Sequence, residues 1–162
     1  MMVNWQISKQ NFQILRVFVP RHTLALLLLF MTGTIAAADP EAKPFAVAHI
    51  LLQVSDKDAS TYASVLDISN NLIKHYGGPD LVDIEVIAFG KGVEMYLSEA
   101  GVENPNSVRI RSLQENGVRF YVCKNTMETL AQMSGKQPII LPGILGVQTG
   151  VAFVVDEVKE GF

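Results

Sequence analysis

The 162-residue chain holds one cysteine and one tryptophan, and its first 38 residues carry no acid. A single cysteine rules out an internal disulfide framework and a C-x-x-C dithiol, so redox chemistry of the thioredoxin kind is excluded. After the first strand-like run, Val54-Ser55-Asp56-Lys57-Asp58 stands where a phosphate-cradling Gly-rich loop would be needed, which argues against a flavin or dinucleotide cofactor. Three histidines are too few and too scattered for a recognisable metal motif. His49 opens a strand, His75 ends a helix, and no spacing brings them to Cys123. We therefore expect no cofactor and no metal. There is also no repeat and no low-complexity stretch.

What the chain does have begins with a targeting pattern. Lys9, Arg16 and Arg21 precede an almost uncharged run from Thr23 to Ile35, and Ala36-Ala37-Ala38 offers small residues for cleavage. Between Arg21 and Asp39 the run falls short of the ~20 apolar residues that span a bilayer. Residues 1–38 are thus expected to be a cleavable signal peptide, residues 39–46 a Pro-containing tether and residues 47–162 one α/β domain, with no stable membrane span after cleavage. Export implies the periplasm, where a lone thiol has no partner within its own chain. All 16 acids follow Ala38 while three of the 13 Lys and Arg precede it, leaving a net charge of −6 on the remainder. That balance argues against nucleic acid as a partner.

Hydrophobic periodicity predicts strands at Val47–Val54, Asp83–Phe89, Val118–Cys123 and Ile144–Gln148. Between the first two, Asp58 or Ser60 caps a helix whose Tyr62, Val65, Leu66, Leu72, Ile73 and Tyr76 share a face, and Gly77-Gly78-Pro79 stops it. A short helix is expected to carry Val93, Tyr96, Leu97 and Ala100 on one side. Asn104-Pro105 signals another helix over 105–116 with Val108 and Leu113 inward. Asn125 with Glu128 reads as a capping box for a helix over 126–134, with Met127, Leu130 and Ala131 inward. The last segment, VAFVVDEVK, is ambiguous: Val151, Val154, Val155 and Val158 fit a helix face, and the valine content also suits a strand. Alternating strands and helices imply a parallel, doubly wound sheet with right-handed crossovers and functional groups at the carboxyl ends of the strands. The loops concerned are Ser55-Asp56, Gly90-Lys91-Gly92, Cys123-Lys124-Asn125 and Gln148-Thr149-Gly150.

Cys123 is the candidate reactive group. It lies where a strand runs into a helix, so unpaired N–H groups and the positive end of the helix dipole favour its thiolate, and Lys124 beside it lowers the pKa further if turned inward. The first strand is expected to adjoin the third, which would bring Asp56 near the sulfur to orient an incoming group. The plain alternatives are that Cys123 is packing and that Asp56 and Asp58 are helix caps.

The segments HILLQVSD (His49–Asp56), IEVIAFG (Ile84–Gly90), GVRFYVCKNTM (Gly117–Met127) and LPG followed by GV (Leu141–Val147) together resemble the DsrE-like family of small sulfur-relay proteins. The resemblance implies a flavodoxin-like three-layer sandwich around a mostly parallel sheet of four to five strands, assembled into trimers or hexamers. It also implies that Cys123 takes up sulfane sulfur as a persulfide, with Asn125 and Thr126 supplying helix-start donors. Partners would then be sulfur donor and acceptor proteins or small sulfane compounds. Two readings stand: a periplasmic single-cysteine sulfur carrier or sulfurtransferase, and a noncatalytic oligomeric binding or assembly protein with Cys123 as packing.

Overall fold

The computed structural model describes residues 43–162; the expected signal peptide, and the tether before Lys43, lie outside the described residues. The chain runs β1 (His49–Val54), α1 (Ala59–Tyr76), β2 (Asp83–Ala88), a 3-10 helix (Gly90–Tyr96), β3 (Leu97–Ser98), α2 (Ser107–Glu115), β4 (Arg119–Cys123), α3 (Lys124–Ser134), β5 (Ile139–Ile140), β6 (Leu145–Val147) and α4 (Gly150–Glu160). Four strands form one parallel sheet in the order β1-β2-β4-β6, while β3 and β5 make a two-residue antiparallel pair. Each new strand of the main sheet adds to the same side. The order therefore never reverses, β2 separates β1 from β4, and the expected contact between the first and third predicted strands is not made.

The alternation along the strands splits the sheet into two unlike faces. On one, Ile50, Leu52, Val54, Ile84, Val86, Ala88, Phe120 and Val122 pack against Tyr62, Val65 and Leu66 of α1, Ile110 and Leu113 of α2, and Met127 and Leu130 of α3. This is the apolar core. The other face carries His49, Asp83, Glu85, Arg119, Tyr121 and Cys123, and α4 lies on it, with Phe153 against Tyr121 at 4.5 Å between ring centroids. Helix, sheet, helix makes three layers.

Helix α1 forms where its signals lie: the Asp58 carboxylate accepts the Ser60 N–H at 2.8 Å, and Gly77 closes the helix at φ 88°, a left-handed conformation that suits glycine. Asp58 is thus a cap. The segment after β2 differs from expectation, because it winds as a 3-10 helix and ends at Tyr96. Two causes are local. A side chain at Gly92 would place its Cβ 2.1 Å from the Val54 carbonyl oxygen, so the turn is pressed onto β1; and the Asn104 amide donates to the Met95 and Leu97 carbonyls, ending the helix. Ala100 is consequently exposed.

Asn104 also accepts the Asn106 N–H at 2.8 Å, which holds Pro105 in a turn and delays α2 to Ser107. That shift turns Ile110 inward with Leu113 and leaves Val108 exposed. The final segment is a helix: Gly161 at φ 112° terminates it, and Lys159 pairs with Asp156 along its surface. Its Phe153 and Val154 are half-buried, whereas Val151, Val155 and Val158 face solvent. Ahead of β1, the Lys43 ammonium donates to the carbonyls of Pro79 and Val82, and the Val47 N–H to that of Leu81, tying the end of the tether to the loop before β2.

Candidate functional site around Cys123

Strand β4 delivers Cys123 to the carboxyl end of the sheet, and α3 begins at the next residue. Cys123 itself, with extended backbone, occupies the cap position predicted for Asn125, and the Asn125–Glu128 capping box does not form. The reason is geometric. With the helix starting at Lys124, Asn125 falls within the first turn, and its side chain is taken by the neighbouring loop: its amide donates to the Thr149 hydroxyl at 3.0 Å and its oxygen accepts from the Gln148 amide at 2.6 Å.

Three chain segments meet at the sulfur. The Thr126 hydroxyl and N–H reach it from the start of α3 and the Gly150 N–H from the start of α4, while the Asn125 N–H, which also donates to the Gln148 carbonyl at 3.2 Å, contributes least. Thr126 accepts the Gly90 N–H at 3.2 Å through the same hydroxyl oxygen, which leaves its proton for the sulfur. Burial raises the thiol pKa, but the Thr126 hydroxyl, then the Gly150, Thr126 and Asn125 N–H groups, outweigh it and hold Cys123 below the ordinary thiol value. As a thiol, Sγ donates to the Gln148 carbonyl at 3.8 Å. The residue is nevertheless only 5% exposed. Gly150 is required by this seating, since a Cβ there would stand 2.9 Å from the Phe89 Cβ and 3.3 Å from the Cys123 Cβ.

Of the other predicted site residues, Asn125 and Thr126 sit at the sulfur and two do not. Lys124 is exposed and its stem lies across Gly146, so the thiol is lowered by hydroxyl and backbone donors rather than by an inward-turned ammonium. Asp56 is exposed after β1, one strand removed from β4, and the group whose titration it influences is Tyr62. The histidines are apart: His49 lies 3.6 Å from Asp83 and edge-on to Phe162, and His75 stacks edge-on to Tyr76. Among the described residues no group of three His, Cys, Asp or Glu side chains is placed to hold a metal, and no helix is long and apolar enough to cross a membrane.

Gln148 and Thr149 were visible in the sequence only as members of a loop, and nothing there assigned them a contact. A second polar cluster on the same sheet face was missed altogether. Arg119 donates to Glu85 at 2.8 Å and to Asp83 at 3.0 Å, the Tyr121 hydroxyl donates to Glu85 at 3.0 Å, and the Phe162 ring lies 6.0 Å from the guanidinium carbon. Asp83 and Glu85 are buried. The signal that could have found it is the matching alternation D-x-E in β2 and R-x-Y in β4, a charge pattern that two paired strands place side by side.

The comparisons with known proteins agree with this architecture. A family model described as the DsrE/DsrF-like family matches residues 29–152. Among solved structures, MTH1491 from Methanobacterium thermoautotrophicum, titled a protein of unknown function, is similar at a TM-score of 0.58 and 25% identity, over 71% of this chain and 95% of that one. No curated protein matches.

Proposed function

The chain belongs to the DsrE/DsrF-like family, and from that sulfur-relay membership together with the donors gathered at Cys123 we propose that it is a single-cysteine sulfur carrier or sulfurtransferase. The carrying observation is that N–H groups from two helix starts and a hydroxyl converge on one buried thiol, an arrangement that lowers its pKa. A nucleophilic sulfur needs that environment, and an inert packing cysteine has no use for it.

The Cys123 thiolate attacks the outer sulfur of a sulfane donor. A new S–S bond forms, the donor's S–S bond breaks, and its electron pair leaves with the departing thiolate or sulfite. Cys123 then holds Cys–S–S⁻. An acceptor thiolate attacks that outer sulfur in the second half, the bond to Cys123 breaks, and the Cys123 thiolate is restored. No electron enters or leaves over the cycle, so the exchange proceeds without a redox cofactor. The same N–H groups that favour the thiolate are positioned for the anion that replaces it.

The targeting pattern of residues 1–38 supports a periplasmic setting, and the exposed Val151, Val155 and Val158 stripe on α4 supports assembly into a homo-oligomer, trimer or hexamer. A noncatalytic binding or assembly protein is the second reading, favoured by the 5% exposure of Cys123. Intact mass after brief exposure to polysulfide or thiosulfate separates the two. The relay reading expects a gain of one or more sulfur masses, blocked by alkylation and absent in Cys123→Ser. Native protein that takes neither sulfur nor alkylating agent, yet is alkylated once unfolded, would establish Cys123 as packing.

A further inference from the structure

Transfer at Cys123 needs a donor sulfur in contact with Sγ, yet the residue is 5% exposed. Specific bonds join the segments beside it. The Gln148 amide donates to Asn125 Oδ1 at 2.6 Å, the Asn125 amide donates to Thr149 Oγ1 at 3.0 Å, and the Asn125 backbone N–H donates to the Gln148 carbonyl at 3.2 Å. These bonds tie the first turn of α3 to the residues that lead into α4, on either side of the sulfur. We propose that the Gln148–Asn125–Thr149 bridge is a latch that positions the two helix starts around Cys123 and opens to admit the sulfur donor. This rests on the sulfur-carrier reading.

Two structural facts make the bridge the part that can move. The helices pack through half-buried side chains, Met127 and Leu130 of α3 and Phe153 of α4, and the only fully buried residue in either is Gly150. The three bridging side chains are exposed, so each of their bonds exchanges for a bond to water at small net cost and local opening does not require the core to unfold. Gly150 seats the start of α4 directly on Cys123. Lifting that turn uncovers Sγ.

The bridge's polarity supplies the control. In Gln148→Ala the bond to Asn125 Oδ1 is lost, while the Asn125–Thr149 bond and the backbone bond to the residue-148 carbonyl remain. In Gln148→Glu the Asn125 amide can turn over, so that its nitrogen donates to the new carboxylate and its oxygen accepts from the Thr149 hydroxyl; the bridge re-forms with a negative charge near the sulfur.

The test is alkylation of the full chain by iodoacetamide across pH, which separates access, read from the limiting rate at high pH, from thiol acidity, read from the midpoint. Gln148→Ala is expected to raise the limiting rate about fivefold, the factor equivalent to one lost hydrogen bond. Gln148→Glu is expected to keep the wild-type limiting rate and move the midpoint up. An unchanged limiting rate in Gln148→Ala, or an equal rise in both variants, overturns the latch. If Gln148→Ala fails to fold by circular dichroism, Thr149→Val decides alone, with a faster limiting rate expected and an unchanged one overturning. Sulfur uptake by mass is scored separately. Faster alkylation with no sulfur adduct in any variant retains the latch and removes the carrier reading, whereas sulfur uptake with no acceleration does the reverse.

Discussion

Beneath α4, the two ends of one sheet face solve the same problem in opposite ways. At the amino end of the strands, two buried carboxylates are answered by a full charge, the guanidinium of Arg119, with the Tyr121 hydroxyl as a further donor. At the carboxyl end, Cys123 is answered among the described residues by N–H dipoles and one hydroxyl rather than by a cation. The first arrangement sets one guanidinium against two buried carboxylates. The second stabilises an anion that can come and go, because a neutral thiol remains satisfied by donating to the Gln148 carbonyl. Buried ion pairs make scaffold, and dipoles around a titrating sulfur make a place for chemistry.

Arg119→Met should break the scaffold end. It leaves Asp83 and Glu85 buried without their cation, and a loss of about 3–5 kcal/mol is expected in denaturant unfolding. The alkylation midpoint of Cys123 in the still-folded protein should not move. A loss under about 1 kcal/mol, or a shifted thiol, would show that the two ends are one network.

Thr126→Val addresses the carboxyl end, with a smaller effect of about 1 kcal/mol, since the Gly90 N–H loses its acceptor. Its signature is acidity. Because the folded thiol pKa lies below the unfolded value, Cys123 contributes stability above the unfolded thiol pKa and loses it as pH falls through the folded one. Without the hydroxyl the alkylation midpoint should rise and that contribution should shrink. An unmoved midpoint would mean that backbone N–H groups alone hold the thiolate.

Glu157 of α4 sharpens the comparison from between the ends. Burial raises its pKa, with the negative charge of Glu85 adding to the effect. A raised carboxyl costs nothing below the unfolded value of about 4.3 and loses stability as pH rises through the folded pKa. Glu157→Gln should therefore be more stable than wild type at pH 7, by less than about 1 kcal/mol for a partly exposed group, with the difference closing as pH falls towards 4. Equal stability of the two proteins across that range would show that Arg119 already compensates the third carboxylate.

Much of the architecture was legible because it rests on local rules. Strand β2 is legible within Asp83–Phe89, and all six residues of Asp83–Ala88 are buried. Helix α1 carried its cap, its stripe and its stop. Where the reading slipped, a distant group had intervened: Asn104 ends the 3-10 helix and delays α2, and the loop before α4 takes the Asn125 side chain that a capping box would have used. At the site, Cys123 could be named from a strand running into a helix and Thr126 from the family resemblance, but the Gly150 N–H could not, because 27 positions of chain separate it from the sulfur. Asp56 depends on a strand order that β2, lying between β1 and β4, does not allow, and Lys124 depends on adjacency in sequence, whereas its stem lies across Gly146.

By itself the sequence determined the parallel α/β class, the single thiol and its place at a strand-to-helix junction, since hydrophobic period, capping residues and turn chemistry act within a few residues of chain. Only the tertiary structure decided which strands are neighbours, that Arg119 meets Asp83 and Glu85, and that a second helix start closes on Cys123. Those are pairings between segments far apart in the chain, and they are selected by burial and charge compensation in three dimensions rather than by any local preference.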